Sequence, residues 1–228
     1  MLKNEKKTIE IETSIEPSHT LIWLHGLGAN AQDSIQILSN LDIRNLNTRF
    51  ICPNAPERII SVNCGLKMQA WYDIKSNIID ENEDICGIKE SVCIINDLIN
   101  REKSRGIKPD NIILGGFSQG CALALYAGLS ITEKINGIIA LSGYLPMKKD
   151  LISKLNQHRD INIFVGHGIN DPLISPSYPK EYVEILRKNG YNNIKLKYYD
   201  IAHSICTDEL KDISNAIKEM ITKKSITT

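Results

Sequence analysis

The sequence predicts an α/β fold: a mostly parallel sheet with helices on both faces, in a single domain spanning residues 1–228. Two observations carry this. Short apolar runs alternate along the chain with segments of helical period, and that alternation argues for a parallel sheet covered on both sides. Several of those runs are apolar at nearly every position, as strands are when both faces are buried. A chain of 228 residues is long enough for one such domain with a substantial core.

Taken in order, residues 8–13 (TIEIET) alternate apolar and polar side chains. That pattern predicts an edge strand pairing antiparallel with the second strand. Residues 20–26 (TLIWLHG), 48–53 (TRFICP), 111–117 (NIILGGF), 136–143 (NGIIALSG), 161–168 (INIFVGHG) and 194–200 (IKLKYYD) read as further strands. Between them, residues 84–106 place Ile88, Val92, Ile95, Leu98 and Ile99 on one stripe, opening at an acidic residue and closing at Gly106. Residues 119–129 are rich in Ala and Leu and read as a buried helix. Residues 178–189 and 207–223 are amphipathic, and Lys223 with Lys224 suits a helix C-terminus. The stretch 53–73 shows neither period, and an irregular loop of that length in a compact domain is usually functional.

Composition excludes several classes. Lys plus Arg equals Asp plus Glu at 27 each, so no global field draws the chain to nucleic acid or anionic lipid. The six cysteines (Cys52, Cys64, Cys86, Cys93, Cys121, Cys206) show no C-x-x-C and no metal-ligand spacing, so free thiols and no metal are expected. The charged start MLKNEKKTIEIE lacks the apolar run of a signal peptide, and no stretch approaches a membrane span. A cytoplasmic protein without stable membrane insertion is the expectation. No coiled-coil pattern is present, and the oligomeric state is not legible.

The pentapeptide 116–120 (GFSQG) carries the chemistry. G-x-S-x-G alone is a weak signal, but here an apolar strand leads in and a small-residue helix leads out. That is the context of a nucleophile elbow, which lifts a serine hydroxyl clear of a sheet edge. Glycines two residues away on either side let the turn close, and the helix N-terminus presents N–H groups to developing negative charge. Ser142, at another strand end, lacks the preceding glycine and reads as pocket wall.

A serine hydroxyl needs a base. In a sheet built this way the order is serine, then acid, then histidine. His19 and His25 precede Ser118, His158 precedes any loop acid, and His167 ends a strand. His203 alone follows Asp171, which lies in a turn-rich loop beyond a strand's C-terminal end. Asp200 stands too close to His203 along the chain to orient it naturally. The oxyanion requires two backbone N–H donors: Gln119, after the nucleophile, and Leu27, between Gly26 and Gly28 in an earlier glycine-rich loop. That loop also matches a dinucleotide fingerprint, but the next strand lacks the acid that would hold a ribose.

Together, HGLG (25–28), PNAP (53–56), NCGLKMQAWYD (63–73), GGFSQG (115–120), LSGYLP (141–146), HGINDPLIS (167–175) and His203-Ser204 resemble the acyl-protein thioesterase and carboxylesterase family. The resemblance implies a single-domain α/β-hydrolase without a cofactor, cleaving carboxylic esters or thioesters of small or lipid-like acyl groups. It also implies a Ser118–Asp171–His203 triad with Leu27 and Gln119 as oxyanion donors. Ala29, Cys121 and the approach IAHS (201–204) depart from the family pattern without removing a reacting group. Met68, Trp71 and Tyr72 either line an acyl groove or anchor the long loop to the core. An amidase or peptidase on the same fold, and a hydrolase-like scaffold that binds without turnover, are the alternatives.

Overall fold

The structure, a computed structural model, describes residues 8–79 and 81–222. The lysine pair 223–224, read as a helix end, and the charged residues 1–7 lie outside the described residues. The strands are β1 (Thr8–Glu12), β2 (His19–Leu24), β3 (Thr48–Pro53), β4 (Glu57–Ile60), β5 (Leu66–Gln69), β6 (Ile112–Phe117), β7 (Gly137–Leu141), β8 (Asn162–Gly168) and β9 (Ile194–Tyr199). The helices are α1 (Ala31–Ser39), α2 (Ile85–Ser104), α3 (Gln119–Ser130), α4 (Lys148–Lys154), α5 (Ser177–Lys188) and α6 (Thr207–Thr222).

Seven strands form the main sheet in the order β1-β3-β2-β6-β7-β8-β9. All neighbours are parallel except β1 and β3. Period-two alternation sends Leu21, Trp23, Ile113, Ile139 and Phe164 into one core, where α1 and α6 pack. Ile22, Leu24, Leu114, Ile138 and Val165 enter the other, beneath α2, α3, α4 and α5. This two-sided burial is why the inner strands read as unbroken apolar runs.

The antiparallel edge strand exists, but its expected partner was wrong: β1 pairs with β3, not with β2. Strand β2 is buried from Thr20 to Leu24 and has both edges occupied by parallel neighbours, so at this end of the sheet β3 rather than β2 offers the free edge. The half-exposed β1 suits that position, with Thr8 opposite Pro53 and Glu12 opposite Arg49. The Arg49 guanidinium ties the pair to Glu12 at 2.7 Å and to the fully buried Glu102 at 2.6 Å.

The stretch 53–73 is also more ordered than its sequence suggests. β4 and β5 form a two-stranded antiparallel hairpin, turned by Cys64 at φ 55° and Gly65 at φ 74°. Ile59 and Leu66 remain exposed on it, which blurs the period that would have marked strands. Two helices escaped the sequence reading. α1 starts from a capping box, the Asn30 side chain accepting from Asp33 N–H while Asp33 accepts from Asn30 N–H. The short α4 follows Met147 in the left-handed region.

Candidate active site

The elbow forms where β6 ends against α3. Ser118 takes φ 56° and ψ −119°, a region that strains any residue with a side chain, and its N–H donates to Leu141 O at 2.9 Å. Both glycines are required by contact: a Cβ on Gly116 would lie 2.5 Å from Gly120 C, and one on Gly120 would lie 2.2 Å from Leu24 O. The turn therefore closes tightly enough to set the start of α3 against the end of β2.

Three strand ends converge here. Asp171, in the loop after β8, and His203, in the loop after β9, reach the serine that follows β6. His203 Nε2 lies 2.9 Å from Ser118 Oγ, and His203 Nδ1 lies 2.7 Å from Asp171 Oδ2. The Asp171 carboxylate faces Nδ1, so that nitrogen carries the proton and Nε2 is free to accept one. The other Asp171 oxygen accepts from Leu173 N–H and Ile174 N–H, both at 2.9 Å. The carboxylate is therefore held on both oxygens in a buried position. Phe117 covers the imidazole with ring centroids 4.8 Å apart.

Of the other acids and histidines weighed in the sequence, Asp200 accepts from Asn170 Nδ2, His158 contacts Thr132 O and His19 contacts Ser18. His167 is fully buried in β8; its Nε2 donates to Ile174 O at 2.9 Å and lies 3.4 Å from Asp171 Oδ2. Burial lowers its pKa, against the raising influence of Ile174 O and Asp171.

Leu27 and Gln119 flank Ser118 on the wall of one cleft. Gln119 is the first residue of α3, and a Cβ on Gly26 would sit 3.4 Å from Ser118 Cβ. Among the described residues, neither the Leu27 nor the Gln119 backbone N–H has an acceptor in the hydrogen-bond network. Two N–H groups beside a nucleophile with no protein acceptor can take a developing oxyanion.

The cleft encloses about 460 Å³, the size of a small-ligand pocket. Its apolar walls are Ile37, Tyr72, Ile74, Ile78, Ile79, Phe117, Tyr144, Leu173 and Ile174. Of the three expected groove residues, the structure brings only Tyr72 to the wall. There its hydroxyl pairs with that of Tyr144 at 2.7 Å, and burial with this neighbour pushes its pKa up. Trp71 is corrected to the core: it is wholly buried, its indole N–H donating to His25 O at 2.8 Å. Met68 lies off the cleft, within 3.4 Å of Asn63 Nδ2. Ser142 is buried rather than a wall residue, its N–H tied to Gly166 O.

The wall residues missed by sequence are Ile37, Ile74, Ile78, Ile79, Phe117, Tyr144, Leu173 and Ile174. The apolar spacing of 74–79 just past the weighed loop was the available signal for Ile74, Ile78 and Ile79. His25, set aside as a base because it precedes Ser118, also lines the cleft. Its Nδ1 donates to Gly26 O at 2.7 Å and its Nε2 accepts from Ala55 N–H at 3.0 Å, which fixes a neutral tautomer; burial lowers its pKa. All six cysteines are free, and burial pushes the Cys52 thiol to about 12. Among the described residues no three His, Cys, Asp or Glu side chains are grouped to hold a metal ion, and no helix is long and apolar enough to cross a membrane.

Comparison with known proteins places this geometry among relatives. The Phospholipase/Carboxylesterase family model matches residues 6–221. The chain is 36% identical over 218 residues to acyl-protein thioesterase 1 of Neurospora crassa, covering 90% of this chain and 87% of that one. It is 36% identical over 227 residues to acyl-protein thioesterase 1 homolog 1 of Dictyostelium discoideum, covering 98% of each. Among solved structures, Zea mays acyl-protein thioesterase 2 superposes with a TM-score of 0.81 at 25% identity, covering 94% of this chain and 99% of that one. Arabidopsis thaliana SOBER1 superposes with a TM-score of 0.80 at 27% identity, covering 89% and 98%.

Proposed function

This chain belongs to the phospholipase/carboxylesterase family of α/β-hydrolases, and on that premise we propose that Ser118, His203 and Asp171 carry its esterase and thioesterase activity. The substrates are acylated proteins or lipid-like acyl esters, and the enzyme works as one domain, in the cytoplasm and without a cofactor. The observation that supports this best is the continuous relay from Ser118 Oγ through His203 to Asp171, at 2.9 and 2.7 Å.

The mechanism follows from where the protons sit. As Ser118 Oγ attacks the acyl carbon, its proton passes to His203 Nε2, and the imidazolium is stabilised by Asp171 without a second transfer. The carbonyl oxygen takes the negative charge and rests on the N–H groups of Leu27 and Gln119. Collapse breaks the bond to the alcohol or thiol, which leaves with the proton from His203. The acyl group now sits on Ser118 with its chain along the Tyr72–Leu173 cleft. Water then gives a proton to the same neutral imidazole as it attacks the acyl-enzyme; collapse breaks the Ser118 ester, the imidazolium returns the proton to Ser118 Oγ, and the acid is released.

Hydrolysis of p-nitrophenyl esters of graded acyl length, by the wild type and Ser118→Ala in parallel, tests the reading. Wild-type turnover is expected, with a loss of about 10⁴-fold or more in the variant. A folded Ser118→Ala protein that still turns over near the wild-type rate would remove Ser118 from the mechanism.

A further inference from the structure

The two oxyanion donors come from parts of the chain far apart in sequence. Leu27 follows β2, whereas Gln119 opens α3. Their N–H groups act together only if held within about 0.5 Å of the productive geometry. Backbone contact alone brings the elements close, as the approach of Gly120 to Leu24 O shows, but contact does not fix the direction of either N–H.

A buried chain of hydrogen bonds does. The Gln119 side chain is buried, 2% exposed. Its Oε1 accepts from Trp71 N–H at 2.9 Å, and its Nε2 donates to Tyr72 O at 2.8 Å. Trp71 passes the constraint on: its indole N–H donates to His25 O at 2.8 Å, one peptide before Gly26. His25 in turn is pinned by Ala55 N–H and Gly26 O. Gly28, on the far side of Leu27, donates to Gln69 O at 2.8 Å. Leu27 is thus braced on both sides from the 69–72 segment, and that segment is bonded directly to Gln119.

We propose that the Gln119 side chain is a positioning residue that, through Trp71 and His25, holds the Leu27 and Gln119 N–H groups in register as one oxyanion hole. The inference rests on the oxyanion reading above and names the device that aligns it. The amide is chemically specific for the task. It must accept from one backbone group and donate to the next, which a carboxylate or an alkyl chain of the same length cannot do. A buried amide with both ends satisfied also fixes a unique geometry, because a flipped or half-bonded arrangement leaves buried groups unpaired.

Gln119→Leu and Gln119→Glu keep the backbone N–H and remove the clamp. The test measures kcat and KM on a p-nitrophenyl ester, together with Ki for an acyl trifluoromethyl ketone, whose adduct with the serine carries an oxyanion. Ser118→Ala is run in parallel. Misaligning one donor is expected to lower kcat about 10- to 100-fold, with KM within about threefold and Ki raised by the factor that kcat/KM loses. A folded Gln119→Leu protein with wild-type kcat and Ki, whatever its melting temperature, overturns the proposal. If that variant does not fold, Trp71→Phe removes the bond to His25 O, with a smaller buried ring, while keeping the backbone N–H that donates to Gln119. A Ki rise of about three- to tenfold is then expected, and an unchanged Ki overturns the clamp. Turnover surviving in Ser118→Ala would instead overturn the underlying reading, so the two failures are distinguishable.

Discussion

On one side of the cleft, Ser118, Asp171 and His203 stand at or just past the C-terminal ends of β6, β8 and β9. Facing them, residues 70–79 run between β5 and α2 with no strand or helix of their own. Ladder bonds set the first wall: adjacent parallel strands in fixed register deliver three loops to one point. Isolated bonds, most of them to side chains, set the second. Gln119 holds Trp71 and Tyr72, Ser91 Oγ donates to Trp71 O, and Asp84 accepts from Asp73 N–H. A wall built on a ladder keeps its chemistry through many surface changes. A wall hung on individual side chains can be reshaped residue by residue without disturbing the sheet.

That contrast makes graded demands on mutants. The largest effect belongs to the ladder-held wall. Asp171→Asn preserves shape but no longer stabilises the protonated imidazole, and kcat is expected to fall about 10³- to 10⁴-fold with the fold intact. Kinetics with circular dichroism would check this, and a loss below tenfold would mean that the acid side of the relay is dispensable. On the same wall, two residues past Asp171, Leu173 lines the cleft while 70% exposed. Leu173→Ser is expected to lower kcat/KM for an octanoyl ester about tenfold, the worth of one partly buried apolar side chain. The acetyl ester should stay within about twofold. An equal loss on both esters would show that this residue serves the chemistry rather than the chain.

The smallest effect lies behind the histidine loop. Glu209, in the first turn of α6, is fully buried and has no hydrogen-bond partner for its carboxyl oxygens among the described residues. A Cβ on Gly166 would fall 2.2 Å from Glu209 Oε1, so the acid fills the space this glycine leaves. Burial pushes its pKa up to about 8. The folded chain therefore holds this proton to higher pH than the unfolded chain does. Its stabilising effect is full below the ordinary carboxyl range and is lost as pH rises through about 8. Thermal melts should show the wild type losing a few degrees between pH 6 and 9, with Glu209→Gln flatter across that range. Identical slopes would mean that the carboxyl finds a partner in solution.

Much of this was legible in residues alone. The elbow could be read because Gly116, Ser118 and Gly120 obey a local steric rule, and His203 because chain order left one histidine after Asp171. The β1 partner could not be read: alternation reports that a strand has one exposed face, not which neighbour has a free edge. The β4–β5 hairpin was hidden because Ile59 and Leu66 point to solvent. Trp71 was ambiguous because a large apolar residue carries the same signal on a groove wall as in a core.

The sequence by itself pointed to the layered α/β fold and singled out Ser118, His203 and Asp171, the three side chains that the structure brings into contact. Those depend on periodicity, on local turn geometry and on order along the chain. Only the tertiary structure decided which neighbour β1 takes, that Tyr72 faces the cleft while Trp71 turns away, and that one buried glutamine braces the loop after β2. These are contacts between residues far apart in the chain. A linear pattern records what a side chain is, whereas its partner is fixed only when the packed layers bring the two together.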